Sequence, residues 1–289
     1  MSQAHRSNRS TRYRGYVLVL TLVLTAIAAL SLLGASRASL RCASAALSEQ
    51  REVQRRWGAL SIEHTLIPRA EAVLAAEEKR QHLPVIRCKK TLQLGGARFD
   101  VLLCDEQAKL NVASQFAERG REDTERVIRR VLAETTASIH VQLHPATAPG
   151  LAAIASYDQV FDQFDPLEAV PADASDRRAT DLLTCWSDGR LNVRRADEQA
   201  LRIALQPALD DSGVQRLLAL RQRQEPSATL GEMLDALELT RERRAAVEKR
   251  LMDGSACHAV WTVISNGEVS CYRLVVRQSR PAATFQFEW

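Results

Sequence analysis

An α+β fold follows from three features of the chain: an uncharged apolar stretch near its start, two hairpin signals far apart, and helix-forming segments between them. Together they predict a long N-terminal helix packed on a small antiparallel sheet, with a mostly helical domain inserted between the strands. A composition of 46% hydrophobic, 26% charged and 5% aromatic residues is that of a globular protein. It excludes a disordered, collagenous or multi-spanning chain.

The leader, residues 1–15, holds Arg6, Arg9, Arg12 and Arg14 and no acid. Without those four, the 39 basic residues become 35, equal to the 35 acidic ones, so the body is neutral and its charge names no polyanionic partner. From Tyr16 to Ala35 the chain reads YVLVLTLVLTAIAALSLLGA. Twenty helical residues span roughly 30 Å, one bilayer core. The basic leader then predicts a cytoplasmic N-terminus, with everything after about residue 36 on the far side of the membrane. A cleaved secretory signal, with Ser36-Arg37-Ala38 as its cut, is the plainer alternative, but such signals carry apolar runs of only ~7 to 15 residues. Val53, Trp57, Leu60, Ile67 and Leu74 recur at helical intervals and predict that the helix continues to near Glu78, interrupted at Pro68.

Pro84 to Cys104 reads as two strands about Gly95-Gly96, with Leu94 opposite Ala97, Leu92 opposite Phe99, Lys90 opposite Val101 and Cys88 opposite Leu103. His258 to Val276 reads as a second hairpin about Asn266-Gly267, pairing Val263 with Ser270, Trp261 with Tyr272 and Ala259 with Leu274; that face is expected against the long helix. Between them, Glu125–Glu134, Leu201–Leu209, Val214–Arg221, Leu230–Leu237 and Arg241–Leu251 carry helical spacing. Pro145 to Asp181, with Pro149, Pro166 and Pro171, is expected to be a loop or lid. The domains are thus 1–15 leader, 16–35 membrane half of the helix, 36–112 remaining helix and first hairpin, 113–253 helical insertion, and 254–289 closing hairpin.

An internal echo stands out. Asp105-Glu106-Gln107-Ala108-Lys109-Leu110-Asn111-Val112 is matched by Trp186-Ser187-Asp188-Gly189-Arg190-Leu191-Asn192-Val193. Each has an acidic turn, a base, Leu, Asn and Val. Asp and Gly suit the turn, Leu and Val suit a core, and Asn can cap a helix or turn by accepting from backbone donors.

Candidate chemistry is sparse. His140 and His144 have the spacing of helical metal ligands, but Ile139, Val141 and Leu143 alternate as in a strand, and no Glu lies between. Asp105-Glu106 and Asp210-Asp211 could offer oxygens to calcium, and solvated turns account for them equally well. Six cysteines, Cys42, Cys88, Cys104, Cys185, Cys257 and Cys271, lie beyond the membrane segment, where disulfides are permitted. The hairpin registers place Cys88 opposite Leu103, Cys271 opposite Thr262 and Cys257 opposite Val276, which argues against the two local bridges. There is no C-x-x-C, G-x-S-x-G, S-x-x-K, H-E-x-x-H or phosphate loop, so no enzyme is expected. The helices from Val214 to Leu251 lack a glycine-flanked, phosphate-gripping turn, so no nucleic acid is expected either.

Gly15 before the apolar helix, after a short basic leader, resembles the processing site of type IV pilins and type II secretion pseudopilins. That family's prepilin peptidase cuts after the glycine, which implies a cut between Gly15 and Tyr16. The two echoed phrases are similar to those of the minor pseudopilins called subunit K. Their residues here are Asp105, Lys109, Leu110 and Asn111 in the first, and Trp186, Asp188, Gly189, Arg190, Leu191 and Asn192 in the second, with Thr229-Leu230-Gly231-Glu232-Met233 resembling the turn that follows. The chain looks like a divergent member: Ser114 and Arg194 stand nearest where a second Asn is usual, and Leu237-Glu238-Leu239-Thr240 replaces a Pro-Gly turn.

The resemblance implies a pilin-like fold and a minor pseudopilin at the tip of a type II secretion pseudopilus, working with other minor pseudopilins and the inner-membrane secretion platform. It implies no cofactor or small-molecule substrate, calcium being the one ion it admits. In major pilins the fifth mature residue is Glu, whose carboxylate can neutralise the terminal amine of the subunit above inside the membrane. Here it is Leu20, and no acid occurs before Glu49. An unpaired ion in that setting costs several kcal/mol or more, so a subunit with Leu20 suits the position with nothing above it. The alternatives are a membrane-anchored periplasmic sensor or binding domain, a DNA-uptake component, and a type IV pilus minor pilin.

Overall fold

The structure, a computed structural model, describes residues 10–94, 97–133, 135, 139–146, 153–166, 170, 177–206, 208–223, 229–266, 269–279 and 282–289. Arg6, Arg9, Pro149, Pro171 and the hairpin-tip glycines Gly95, Gly96 and Gly267 lie outside these. The chain forms two compact units, residues 1–56 and 57–289.

From residue 10 on, the first unit is helical. Helix α1 runs Ser10–Leu66. Its stretch from Tyr16 is long and apolar enough to cross a membrane. Every residue from Tyr16 to Val53 is exposed, including Leu18, Leu22, Ile27 and Leu30. The hydroxyls of Thr21 and Thr25 donate to the carbonyls of Leu18 (2.8 Å) and Leu22 (2.9 Å), which removes unsatisfied donors from an apolar surface.

In the second unit, the end of α1 meets a 3-10 turn at Ile67–Arg69 around Pro68, and helix α2 follows at Ala70–Gln81. Pro68 has no N–H to give, so the α-helical ladder is interrupted there. α2 stops where His82 takes a left-handed conformation with φ 56°. The buried stripe is Gly58, Ala59, Ile62, Ile67, Ala70 and Leu74. The stripe read from hydrophobicity is corrected at its start: Val53 and Trp57 are exposed. Small residues let the helix approach the sheet, and Gly58 lies so near Phe99 that a Cβ there would fall 2.3 Å from the ring. A count of large apolar residues overlooks such a surface.

The sheet has five antiparallel strands in the order β1-β2-β7-β8-β9: β1 Arg87–Leu94, β2 Ala97–Asp105, β7 Cys257–Asn266, β8 Val269–Ser279 and β9 Ala282–Glu288. The β1–β2 register is the expected one, Leu94 with Ala97 through Cys88 with Leu103. The β7–β8 register is two residues off the expected one. Asn266 pairs with Val269, so Trp261 lies opposite Leu274, Val263 opposite Tyr272, Cys271 opposite Ile264 and Cys257 opposite Gln278. The loop therefore begins one residue later than the Asn-Gly cue suggests. A shift of two preserves the faces, whereas one would invert them.

The sheet is covered on both sides. Phe99, Val101, Leu103, Val260, Ile264 and Val275 pack with the α1–α2 stripe, while Leu102, Cys104, Ala259, Trp261, Leu274 and Val276 join the helical insertion. Ala259 and Trp261 were expected against the long helix and face the other layer. β7 is apolar on both faces because it is central, so alternation does not choose between them.

The chain leaves the sheet after Asp105 and returns at Cys257, and Asp105 pairs with His258. Between them lie α3 Val112–Leu132, α4 Ala179–Leu182, α5 Glu198–Leu205, α6 Asp211–Arg223, α7 Leu230–Asp235 and α8 Arg241–Glu248. Two short parallel pairs tie this excursion together: β3 Leu110–Asn111 with β4 Leu183–Thr184, and β5 Leu191–Asn192 with β6 Leu251–Met252.

The expected lid is corrected in its described part. Ile154, Tyr157, Val160 and Phe161 are buried, and Tyr157 Oη donates to the Leu183 carbonyl at 2.8 Å. Aromatic anchors outweigh proline content there. Tyr157, Phe164, Trp186, Trp261, Phe287 and Trp289 form a connected ring cluster with centroids 5.0–6.4 Å apart.

Candidate functional site

The two echoed phrases meet. Both asparagines cap backbone: Asn111 Oδ1 accepts from the Ser114 N–H at 2.7 Å to start α3, and Asn192 Oδ1 accepts from the Arg194 N–H at 3.1 Å in a turn. Their amide nitrogens reach across to the other phrase. Asn111 Nδ2 donates to the Ser187 carbonyl and hydroxyl at 3.1 and 2.9 Å. Asn192 Nδ2 donates to Asp105 Oδ2 and Ser255 Oγ, both at 2.9 Å. Gln107 adds a third brace, donating to Asp188 Oδ1 at 2.9 Å. Gly189 sits at φ +81° with its missing Cβ's place 2.2 Å from Ser114 Oγ, so only glycine fits that turn.

The apolar members do the anchoring. Leu110, Val112, Leu191 and Val193 are at most 2% exposed. Trp186 donates its indole N–H to the Ala155 carbonyl at 2.9 Å and meets Tyr157 edge-on at 5.0 Å. Arg190 stays at the surface, 3.8 Å from Asp188.

Beneath the braces lies a buried ionic centre on Arg195, 3% exposed. Its guanidinium reaches Glu71 at 2.7 and 2.8 Å, Glu78 at 2.8 and 3.0 Å, and Asp105 at 3.2 Å. Glu71 and Glu78 are seven residues apart, hence on one face of α2. His258 Nε2 adds a contact to Glu71 at 3.3 Å. Burial raises the Glu71 pKa, but the hydrogen bonds of His258 and Arg195 outweigh it and hold the carboxyl at about 2. Burial works against the Arg195 charge, and its bonds to Glu78 and Glu71 with the Asp105 charge raise its pKa above the ordinary value. One side chain thus joins helix, sheet end and insertion.

Lys109, 1% exposed, sits 2.5 Å from Glu106 Oε1. Burial opposes its charge, and the adjacent carboxylate sustains it. Arg87 of β1 pairs with Asp181 of α4. These clasps were not read from the sequence. The i, i+7 acids on α2 and the arginine three residues after Asn192 were the available signals.

Of the expected processing and tip positions, Gly15 lies within α1, and Tyr16 and Leu20 are 69% and 47% exposed. His140 and His144 are exposed on a strand-like segment whose Val141 and Leu143 point inward. Among the described residues no three His, Cys, Asp or Glu side chains converge as metal ligands. Asp105 and Glu106 are engaged by Arg195 and Lys109, and Asp210 Oδ1 accepts from the Gly213 N–H at 2.8 Å. Among the described residues no disulfide joins the cysteines. Burial pushes Cys104 up to about 12 and raises Cys185 and Cys257 well above the usual thiol range, so these three are poor nucleophiles. The arrangement is one of joints, with charges and donors directed at the chain itself.

No family model matches the chain, and no curated protein matches it. Among solved structures, a chain of the GspK-GspI-GspJ complex of the enterotoxigenic Escherichia coli type 2 secretion system is similar over 84% of this chain and 98% of that one, with a TM-score of 0.41 and 11% identity.

Proposed function

We propose that this chain is a minor pseudopilin of a type II secretion system, held in the inner membrane by the first half of α1 and placed at the tip of the pseudopilus, where it supports assembly for protein export. The observation that carries the reading is the division of the long helix. Its apolar first half is exposed around its whole circumference, and residues 58–74 supply the stripe that packs on an antiparallel sheet. An apolar surface of that size calls for lipid or neighbouring helices. The phrases that resemble subunit K form the joint between sheet and insertion, which gives those residues a structural purpose.

In this reading the chain has no catalytic site and takes no cofactor. Its partners are other minor pseudopilins and the inner-membrane platform, met through the anchor and the exposed helix around Val53 and Trp57. Leu20 removes the carboxylate that would serve a subunit above, which favours the tip.

The test is co-expression with the minor pseudopilins of the same system, followed by detergent extraction and pull-down on this chain. A complex retained through gel filtration, together with loss of export on deleting the chain, is the expected result. Export that continues unchanged without the chain, and no retained complex, would leave a membrane-anchored domain of another kind.

A further inference from the structure

The sheet has two edges, and they differ. β1 exposes Lys89 and Lys90, the kind of charge that blunts an edge against further pairing. β9 reads Ala-Ala-Thr-Phe-Gln-Phe-Glu and then Trp289. It has no lysine, no internal proline, and one charge, Glu288, which is held by Arg273.

The hydrogen-bond parity of β9 is fixed at its end. Trp289 and Tyr272 exchange both backbone bonds, at 2.9 and 3.1 Å. Alternation then directs Phe287, Phe285 and Ala283 to β8 and turns the N–H and C=O groups of Glu288, Gln286 and Thr284 outward. Those three residues are exposed, while Ala283, Phe285, Phe287 and Trp289 are half-buried on the face that borders the aromatic cluster.

We propose that β9 is a self-association edge, on which two copies of this chain pair antiparallel about a two-fold axis at Gln286 and join two five-stranded sheets into one. The strand is complementary to itself in that register. Gln286 faces Gln286 of the second copy, and Thr284 faces Glu288, so the outward backbone groups of these three residues find partners and no like charges meet. On the half-buried face Phe285 lies beside Phe287 of the second copy, and small Ala283 lies beside large Trp289. The pairing covers the apolar surface that β9 leaves half-open.

The full chain in detergent micelles, sized by light scattering with the detergent contribution removed, tests this. The expected result is twice the chain mass for the natural sequence and loss of the dimer in Gln286→Pro. Proline deletes an outward donor and leaves the β8 ladder, carried by Phe285 and Phe287, in place. Register is tested by Gln286→Cys in a Cys42→Ser/Cys271→Ser background under mild oxidation. The 286 thiols lie opposite each other and cross-link, whereas Thr284→Cys does not, because its two copies are four residues apart, about 13 Å along the strand. A monomeric natural chain, or a dimer that survives Gln286→Pro and gives no cross-link at 286, would overturn the proposal.

Discussion

Arg195 answers three carboxylates with one guanidinium, and its removal leaves Asp105, which is fully buried, without a cation. Arg195→Ala is expected to destabilise the body by about 3–5 kcal/mol in denaturant unfolding, and Arg195→Lys to recover only part, since an ammonium cannot span the same fork. The acid limb of stability belongs to the same cluster. Glu71 has a folded pKa of about 2 against an ordinary 4.5, so its contribution is complete above pH 4.5 and is lost as pH falls toward 2. Glu71→Gln should therefore flatten the decline of the melting temperature between pH 5 and pH 2, and an unchanged decline would remove Glu71 from the account. Asn111 separates cap from brace. Asn111→Ala should cost about 1–2 kcal/mol through the lost cap. Asn111→Asp keeps the cap but sets an acceptor against the Ser187 carbonyl, so it should be no better than alanine when the two are compared by urea midpoint.

At the scale of elements, the helix–sheet contact turns on Gly58. Alanine is the better helix former by about 1 kcal/mol, yet a Cβ at 2.3 Å from a fully buried Phe99 ring forces overpacking. Gly58→Ala should destabilise by about 1–3 kcal/mol, and Phe99→Leu should make the two changes less than additive in a double-mutant cycle. The first hairpin was legible in register because its strands have one clearly apolar face. The second was legible as a hairpin but not in register or facing, because Ala259, Val260, Trp261 and Ile264 are apolar on both sides of a central strand. β9 had a readable signal, Ala283, Phe285 and Phe287 alternating with Thr284, Gln286 and Glu288, but it follows no Asn-Gly or Gly-Gly turn and passed as the tail of the hairpin. The buried stripe departs from the expected one at its start, at Val53 and Trp57, because glycine and alanine, which permit the closest approach, carry little hydrophobic weight.

For the whole molecule, the α+β architecture was legible from its coarsest features, while the joint holding it together was only half so. The asparagines of the two phrases invited a local capping role, and they have one. Their second role, each reaching into the other phrase, depends on distances in space that spacing in sequence does not encode. The same holds for Arg195 against Glu71 and Glu78, more than a hundred residues apart. The central claim is that this chain enters the membrane as a pseudopilin. Mass spectrometry of its N-terminus, in cells that carry a prepilin peptidase, tests it most directly. The account predicts a mature chain beginning at Tyr16, with residues 1–15 gone; a chain that still begins at Met1 would contradict it.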